Sequence, residues 1–233
     1  MSLLNKRKKA AAVIVAAGSS KRMRGTDKLT AELCGESVIC RTVGAFERSA
    51  EISEIILVTR EDRLEEMSGY VSRFGKVKKV VSGGKTRTES ALAGVGEVSR
   101  DCGVILIHDG ARPLVCDKLI KESVRAAIRY GAALPAAPVR DTVKRVSDGF
   151  VTETCDRSEL VLAQTPQAFK AELIKAALTD AVKNGAELTD DCAAVERLGM
   201  RPFVISGDHE NIKITTPEDL TIAEAILKGR TTA

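Results

Sequence analysis

Residues suited to binding phosphate are concentrated in one loop near the start of the chain. An apolar run from Ala11 to Ala17, fit for a strand buried on both faces, ends at Gly18. Glycine lets the backbone approach a ligand closely, and cations neutralise phosphate charge. Four cations follow within eight residues, namely Lys21, Arg22, Arg24 and Lys28. The pattern predicts a strand that leads into a polyphosphate-binding loop, with a basic surface turn as the alternative.

This loop differs from both common phosphate-binding motifs. A P-loop would carry a second glycine followed by Lys and Ser or Thr, and a dinucleotide fingerprint would carry glycines at its first, third and sixth positions. The residues after Gly18 follow neither spacing, so both motifs are excluded.

A second glycine-rich segment, Gly83 to Ser90, follows a predicted strand and precedes a predicted helix. The strand covers Val77 to Val81 and the helix Ala91 to Val98. Ligands of open α/β sheets bind at the carboxyl ends of strands, where glycine-rich backbone meets helix N-termini. We therefore predict a second nucleotide-binding loop here. A plain turn that starts a Ser/Thr-rich helix is the alternative.

An acidic residue follows another buried strand, Val104 to Ile107, in the sequence His108-Asp109-Gly110. Mg²⁺ in triphosphate sites prefers carboxylate oxygen together with phosphate and water. Asp109 is therefore the candidate metal ligand, with a helix cap as the alternative, and Arg112 is expected to make a structural ion pair. Because His108 continues the strand, we expect it to be packed or hydrogen-bonded rather than a general base.

A third candidate for phosphate binding lies near the C-terminus. Lys213 stands between Ile212 and Ile214, so its side chain should point away from these apolar neighbours. We expect it in the ligand crevice, with a surface lysine as the alternative.

Strands and helices alternate along the chain. Helices are predicted at Ser37 to Arg48, Asp62 to Phe74, Asp117 to Tyr130 and Lys170 to Asn184, with Thr189 and Thr216-Pro217 starting two more. Further strands are predicted at Ile55 to Thr59, Ala132 to Val139 and Pro202 to Ser206. The alternation predicts an α/β fold with a doubly wound, mostly parallel, Rossmann-like sheet in a single domain over residues 10–233.

Residues 140–160 interrupt this alternation. Pro135 and Pro138, in the preceding strand, predict an edge strand or a departing chain. Alternating segments around Asp148-Gly149 predict a β-hairpin that projects as an arm. Because an isolated hairpin is only marginally stable in water, we predict that the arm packs against a second subunit in a homodimer.

The composition of the 233-residue chain favours small anionic ligands. Aromatic residues are only 3% of the sequence, with no tryptophan, which argues against stacking of nucleic-acid bases. The net charge is a modest +4. Six cysteines without metal-binding spacing are expected to be reduced thiols in a cytoplasmic protein. The apolar run after Lys6 to Lys9 is too short for a signal peptide, and no stretch is long enough to span a membrane.

Motifs along the chain resemble a known enzyme family. The segment AAGSSKRMRGTDK resembles the signature loop of nucleotidyltransferases that join a sugar or polyol phosphate to a nucleoside triphosphate. With HDGARP, APVRDTVK, QTPQAF and NIKITTPEDL, it resembles the 2-C-methyl-D-erythritol 4-phosphate cytidylyltransferases, from Ala12 to about Leu227. The resemblance implies transfer of a cytidylyl group from CTP, with release of pyrophosphate, in non-mevalonate isoprenoid synthesis.

The resemblance also implies roles for individual residues. Those that neutralise charge on the reacting phosphates are Arg22, Lys28 and Lys213. Those that bind the nucleotide are Ala16, Ala17, Gly18, Gly83, Gly84, Ser90, Asp109 and Gly110, with Asp109 also on Mg²⁺. Those that receive the polyol phosphate are Thr142, Arg157 and Thr165. In the family, the arm residues reach the site of the neighbouring subunit.

Two other functions stay open at the level of the sequence. Ribitol 5-phosphate cytidylyltransferase has similar HD-x-x-RP and NIKITTPEDL motifs, and a nucleotide-binding regulator could keep the fold without catalysis. Retention of Arg22, Lys28, Asp109 and Lys213 argues against the regulator. The chain also departs from the family's usual Pro-Lys-Gln, because it carries Asp27-Lys28-Leu29. The Gly-x-Asp-Lys form of Gly25 to Lys28 is closer to the molybdenum-cofactor guanylyltransferases, a family that the rest of the chain does not support.

Overall fold

The central sheet has eight strands in the computed structural model, which describes residues 9–18, 23 and 27–232. The strands in these residues are β1 (Lys9–Val15), β2 (Glu32–Leu33), β3 (Glu36–Ser37), β4 (Ile52–Thr59), β5 (Val77–Ser82), β6 (Cys102–Asp109), β7 (Ala132–Pro138), β8 (Lys144–Ser147), β9 (Phe150–Thr154), β10 (Val161–Ala163), β11 (Gln167–Lys170) and β12 (Phe203–Ser206). The helices are α1 (Val38–Arg48), α2 (Leu64–Val71), α3 (Arg87–Gly96), α4 (Asp117–Tyr130), α5 (Ala171–Lys183), α6 (Asp191–Arg197) and α7 (Pro217–Thr232). None of these helices, over the described residues, has both the length and the apolar character of a membrane span.

The sheet has the strand order β10-β7-β11-β6-β1-β4-β5. The eighth strand, β12, also pairs with β7 and runs parallel to it. Strand β1 is parallel to β4 and β6, and β4 is parallel to β5. Strands β10 and β11 run antiparallel to their neighbours. The small and branched side chains of residues 10–14 are fully buried, as expected of a central parallel strand. The predicted α/β architecture with a mostly parallel sheet is confirmed.

Side chains of β1 alternate between two apolar cores, one on each face of the sheet. Ala12 and Ile14 belong to the core covered by α1, α2, α4 and α7. Ala11 and Val13 belong to the core covered by α3, α5 and α6. Helices thus cover both faces, and the carboxyl ends of β1, β4, β5 and β6 meet at one edge of the sheet.

Three predicted helix starts are wrong, and the second of them lies at the site. Helix α2 begins at Leu64 rather than Asp62, after a 3₁₀ turn at Glu61–Arg63. Helix α3 begins at Arg87 rather than Ala91, because Thr86 and Glu89 form a capping box. Residues 87–90 therefore lie on the first helical turn instead of in a loop. Helix α6 is capped by Asp190 rather than Thr189, with the Asp190 carboxylate accepting the N–H of Ala193 at 2.9 Å.

The expectation of an edge position for β7 is also wrong. Ala133 pairs with Ala168 of β11 on one side and with Phe203 of β12 on the other. Pro135 is compatible with this position because proline lacks only the donor, and its carbonyl accepts the N–H of Gln164 at 2.8 Å. The alternative expectation, a departing chain, is confirmed, since β7 ends at Pro138 and leads to the arm.

Strands β8 and β9 form the predicted hairpin. Asp148 and Gly149 at its turn have φ of 52° and 84°, the left-handed region that a tight two-residue hairpin turn requires. Every residue of both strands is exposed, including the apolar Val146, Phe150 and Val151. The arm therefore presents apolar side chains that its own chain does not cover.

Candidate active site

A cleft of about 390 Å³ opens at the carboxyl ends of β1 and β6, beside the start of α3. Its described lining residues are Val15, Ala16, Ala17, Gly18, Lys28, Leu29, Gly84, Lys85, Thr86, Arg87, Ser90, Asp109, Gly110, Ala111 and Lys213. Of the predicted nucleotide-binding residues, only Gly83 is missing from this lining. The fold thus brings the first loop, the second loop, the end of β6 and Lys213 to one place.

Lys28 lies on the part of the cleft formed by the first loop. Leu29, next to it, is buried, and its carbonyl accepts the N–H of Ile39 at 2.9 Å, which ties the turn to α1. The Lys28 Nζ lies 3.9 Å from the position that a Cβ on Gly18 would occupy. The ammonium and the loop backbone can therefore bind the same anion. Arg22, predicted to act with Lys28, lies outside the described residues.

The two glycines of the second loop pack too closely on α3 for either position to carry a side chain. A Cβ on Gly84 would lie 2.3 Å from the Cβ of Glu89, and one on Gly83 would lie 2.6 Å from the Oγ of Ser90. The Ser90 hydroxyl donates to the carbonyl of Thr86 at 2.8 Å. Glycine at both positions therefore allows the backbone to lie on the first turn of α3 at the edge of the cleft.

Asp109 is the acidic centre of the site. Its Oδ2 lies 2.9 Å from Lys213 Nζ and 3.3 Å from Arg112 Nε. Its Oδ1 lies 3.9 Å from Arg87 Nη2. Burial alone would raise the pKa of Asp109, but these three cations hold it well below its usual range, so the carboxylate is ionised at neutral pH. The contact of Arg112 with Asp109 is an ion pair, as predicted, and Arg112 also donates to the carbonyl of Asn211 at 2.7 Å.

A second ion pair, not predicted from the sequence, lies behind the cleft. Arg87 donates through both terminal nitrogens to Asp191, at 2.8 and 2.6 Å, and the Asp191 side chain is fully buried. Burial alone would lower the pKa of Arg87, but Asp191 raises it above its ordinary value. Gln167 Oε1 accepts the backbone N–H groups of Asp191 and Cys192. In the sequence, two adjacent acidic residues at a helix start were the only signal of this pair.

His108 and Thr165 form a buried layer beneath Asp109. The His108 ring bonds to the carbonyl of Arg112 through Nε2 at 3.1 Å and to the Thr165 hydroxyl through Nδ1 at 3.0 Å. Burial lowers the pKa of His108 to about 4, so the ring is neutral, as expected of a packed residue. The Thr165 Oγ1 also accepts the N–H of Asp109 at 3.1 Å. Thr165 does not line the cleft, and its contact with the polyol phosphate stays a prediction.

The two predicted substrate residues on the arm are exposed. Neither Thr142 nor Arg157 lines the cleft of its own chain. Arg157 donates to the carbonyl of Arg140 at 2.7 Å, within the base of the arm. Their contact with a neighbouring subunit's substrate stays a prediction.

The cleft offers one carboxylate to a metal ion. Asp109 is the only acid among its described lining residues, and the described residues hold no group of three or more His, Cys, Asp or Glu suited to a metal. Mg²⁺ commonly binds through one or two carboxylates together with nucleotide phosphates and water. Of the two Asp109 oxygens, Oδ1 is the less constrained, since Arg87 is 3.9 Å away. The donor set fits a Mg²⁺ that is held largely by nucleotide phosphates.

Known proteins are similar to this chain in both sequence and fold. A family model described as 2-C-methyl-D-erythritol 4-phosphate cytidylyltransferase matches residues 10–229. Proteins of that name from Dehalococcoides mccartyi and Halalkalibacterium halodurans are 44% and 45% identical to this chain, over 92% and 91% of its length and 94% of each relative. The crystal structure of 4-diphosphocytidyl-2C-methyl-D-erythritol synthase from Anaerococcus prevotii is 32% identical, with a TM-score of 0.86 over 95% of this chain and 97% of that one. On a match of this extent, the chain belongs to the 2-C-methyl-D-erythritol 4-phosphate cytidylyltransferase family.

Proposed function

We propose that this protein transfers the cytidylyl group of CTP to 2-C-methyl-D-erythritol 4-phosphate and releases pyrophosphate, in isoprenoid precursor synthesis. The observation that carries the proposal is a single cleft in which Lys28 faces the Gly18 loop and Lys213 contacts Asp109. The chain belongs to a family whose members are named for this activity, and this membership supports the same two substrates.

The transfer needs positioning and charge neutralisation more than a nucleophile from the protein. A phosphate oxygen of the polyol attacks the α-phosphorus of CTP in line, and pyrophosphate leaves. Lys28, with Arg22, would neutralise the charge that develops on the α-phosphate and the pyrophosphate. Lys213 would contact the reacting phosphates, exchanging part of its ion pair with Asp109 for contacts with the nucleotide.

The rest of the cleft would hold the nucleotide. Gly83, Gly84 and Ser90 would bind the cytidine, with the start of α3 at the edge of the cleft. Asp109 would hold Mg²⁺ through Oδ1. The ion, when bound, would supply further positive charge to the triphosphate.

We also propose a cytoplasmic homodimer in which the arm of one chain completes the site of the other. The arm carries Thr142 and Arg157 as exposed polar residues at its base, and uncovered apolar side chains, such as Phe150, next to its turn. These features support a subunit contact there. The cytoplasmic location is inferred from the cysteine spacing, which suggests reduced thiols.

Pyrophosphate release with CTP and Mg²⁺ tests the proposal. Three reactions would be compared, with 2-C-methyl-D-erythritol 4-phosphate, with ribitol 5-phosphate and without acceptor. We expect turnover only in the first. Turnover only with ribitol 5-phosphate would overturn the choice of acceptor. CTP binding without turnover in any reaction would instead favour a nucleotide-binding regulator.

A further inference from the structure

We propose that Asp27 and Arg63 act as positioning residues for Lys28, an inference that rests on the proposed function of that lysine. Asp27 directly precedes Lys28 and forms an ion pair with Arg63. Arg63 ends the short 3₁₀ turn Glu61–Arg63 that follows β4, so the pair joins two separate loops at the edge of the sheet.

The backbone around Lys28 is held at both ends. The Asp27 carboxylate accepts the N–H of Leu29 at 2.9 Å through Oδ1, and the Asp27 carbonyl accepts the N–H of Ala31 at 2.9 Å. Leu29 is buried and bonded to α1 through Ile39. Lys28 therefore projects from a closed turn, and the orientation of its side chain depends on the Asp27 carboxylate.

Arg63 is itself fixed by a second carboxylate. Its Nε and Nη2 donate to the two oxygens of Glu66, at 2.8 and 2.9 Å, while Nη1 contacts Asp27. A planar guanidinium held on one edge in this way is a rigid donor on the other. The geometry makes Arg63 an anchor for the Lys28 turn.

The ion pair is sheltered from solvent. The Arg63 and Asp27 side chains are 12% and 26% exposed, compared with 41% and 67% for the neighbouring pair of Arg60 and Asp62. Charges that are partly removed from water are screened less than those on the surface. Loss of the Arg63 charge would free the Asp27 carboxylate to turn away from Leu29, and the Lys28 ammonium would then be less precisely placed against bound phosphate.

Arg63→Gln and Asp27→Asn test this role because both remove charge and keep a polar side chain. We expect the kcat for pyrophosphate release to fall about tenfold in each, as a small displacement of a catalytic group causes. The KM for CTP should change by less than about twofold, because one misplaced cation affects the transition state more than binding. The double variant should be no slower than either single one. Arg63→Lys, which keeps the charge, should recover part of the lost kcat.

Arg60→Gln is the matched control. Arg60 makes the same two-bond contact with a carboxylate, at 2.9 and 2.8 Å to Asp62, in the same segment of the chain. We expect wild-type kcat in this variant. An equal loss of kcat in Arg60→Gln, or unchanged kcat in both Arg63→Gln and Asp27→Asn, would overturn the proposal.

Hydrogen exchange separates this inference from the proposed function. Amide exchange in a peptide covering residues 28–31 can be followed by mass spectrometry on the ligand-free protein, without catalysis. We expect faster exchange in Arg63→Gln than in the wild type or Arg60→Gln. If the wild type lacks transferase activity but this difference is observed, the link to the Lys28 turn stands and the proposed function fails. Equal exchange in all three proteins would show that Arg63 does not hold the turn.

Discussion

At the scale of single residues, the cleft carries more positive than negative charge. Its described lining holds four cations, Lys28, Lys85, Arg87 and Lys213, against the single carboxylate of Asp109. Asp109 offsets part of this charge and holds Lys213 in place before any ligand binds. The remaining positive charge favours a polyphosphate over a neutral ligand.

Lys28→Ala should therefore remove most of the activity. We expect kcat to fall by about 10²–10³-fold, the usual effect of losing one group that stabilises transition-state charge. The melting temperature should be unchanged, because the Lys28 side chain is only half-buried. Lys85→Ala removes another cleft cation, an exposed one, and serves as the control with a much smaller loss expected. Near-wild-type turnover in Lys28→Ala would remove this residue from the mechanism, and Arg22→Ala can be judged in the same way.

The buried His108 should make the free energy of unfolding depend on pH. Its pKa is lowered by burial to about 4, from about 6.5 in the unfolded chain. Between these values the unfolded chain binds a proton that the folded protein does not. The free energy of unfolding should therefore fall as the pH decreases from about 6.5 to about 4, by about 3 kcal/mol in total. The depressed pKa of Asp109 adds a further loss only below about pH 4.

Urea unfolding at several pH values measures this effect. His108→Gln should flatten the dependence between about pH 4 and 6.5, because the titrating group is gone. His209, the other histidine, is exposed, and His209→Gln should keep the wild-type dependence. An equally flat profile in the wild type would show that His108 is not held neutral.

At the scale of secondary structure, the cap of α3 links stability to nucleotide binding. The capping box of Thr86 and Glu89 fixes the first turn of α3, and Thr86, Arg87 and Ser90 all line the cleft. The two glycines before this turn leave no space for a Cβ. The helix start and the second loop therefore form one unit.

Thr86→Ala should lower both the stability of the protein and its binding of CTP. We expect a loss of about 1 kcal/mol in the free energy of unfolding, typical of a lost N-cap, and a several-fold increase in the KM for CTP. Ser37→Ala is the matched control, since Ser37 caps α1 by accepting the N–H of Cys40 at 3.3 Å and does not line the cleft. It should cost similar stability and leave KM unchanged. A KM increase of the same size in both variants would contradict a specific role for the α3 cap.

At the scale of the whole molecule, the arm is a segment whose apolar side chains a single chain leaves uncovered. Phe150 is 77% exposed and Val151 62% exposed, although both are apolar. A two-stranded hairpin with such side chains gains stability when another surface covers them. The proposed dimer supplies that surface and would bring Thr142 and Arg157 to a second cleft.

Phe150→Lys should shift the protein from dimer to monomer, because a charge replaces an apolar contact. Sedimentation velocity at micromolar concentration would show the change, and the KM for the polyol phosphate should increase with little effect on CTP binding. Ile222→Lys alters another exposed apolar residue, 50% exposed on α7, and should leave the dimer intact. A monomeric wild type, or a dimer that survives Phe150→Lys, would contradict the proposed role of the arm.

The sequence by itself determined the local elements and most of the candidate site. The predicted helix Asp117 to Tyr130 matches α4, and the hairpin turn is where Asp148-Gly149 places it. Both rest on local signals, namely apolar periodicity and turn residues that tolerate positive φ. The sequence also predicted that the two loops and Asp109 meet, because the carboxyl ends of parallel strands lie at one edge of a sheet.

Only the tertiary structure decided which distant residues meet. Arg87 and Asp191 are 104 positions apart, and no local pattern in the sequence pairs them. Their contact exists because α3 and α6 pack on the same face of the sheet. The pair of Asp27 and Arg63, and the interior position of β7, have the same origin. Side-chain pairing and strand neighbours depend on how the elements pack in three dimensions, which periodicity and propensity along one chain do not encode.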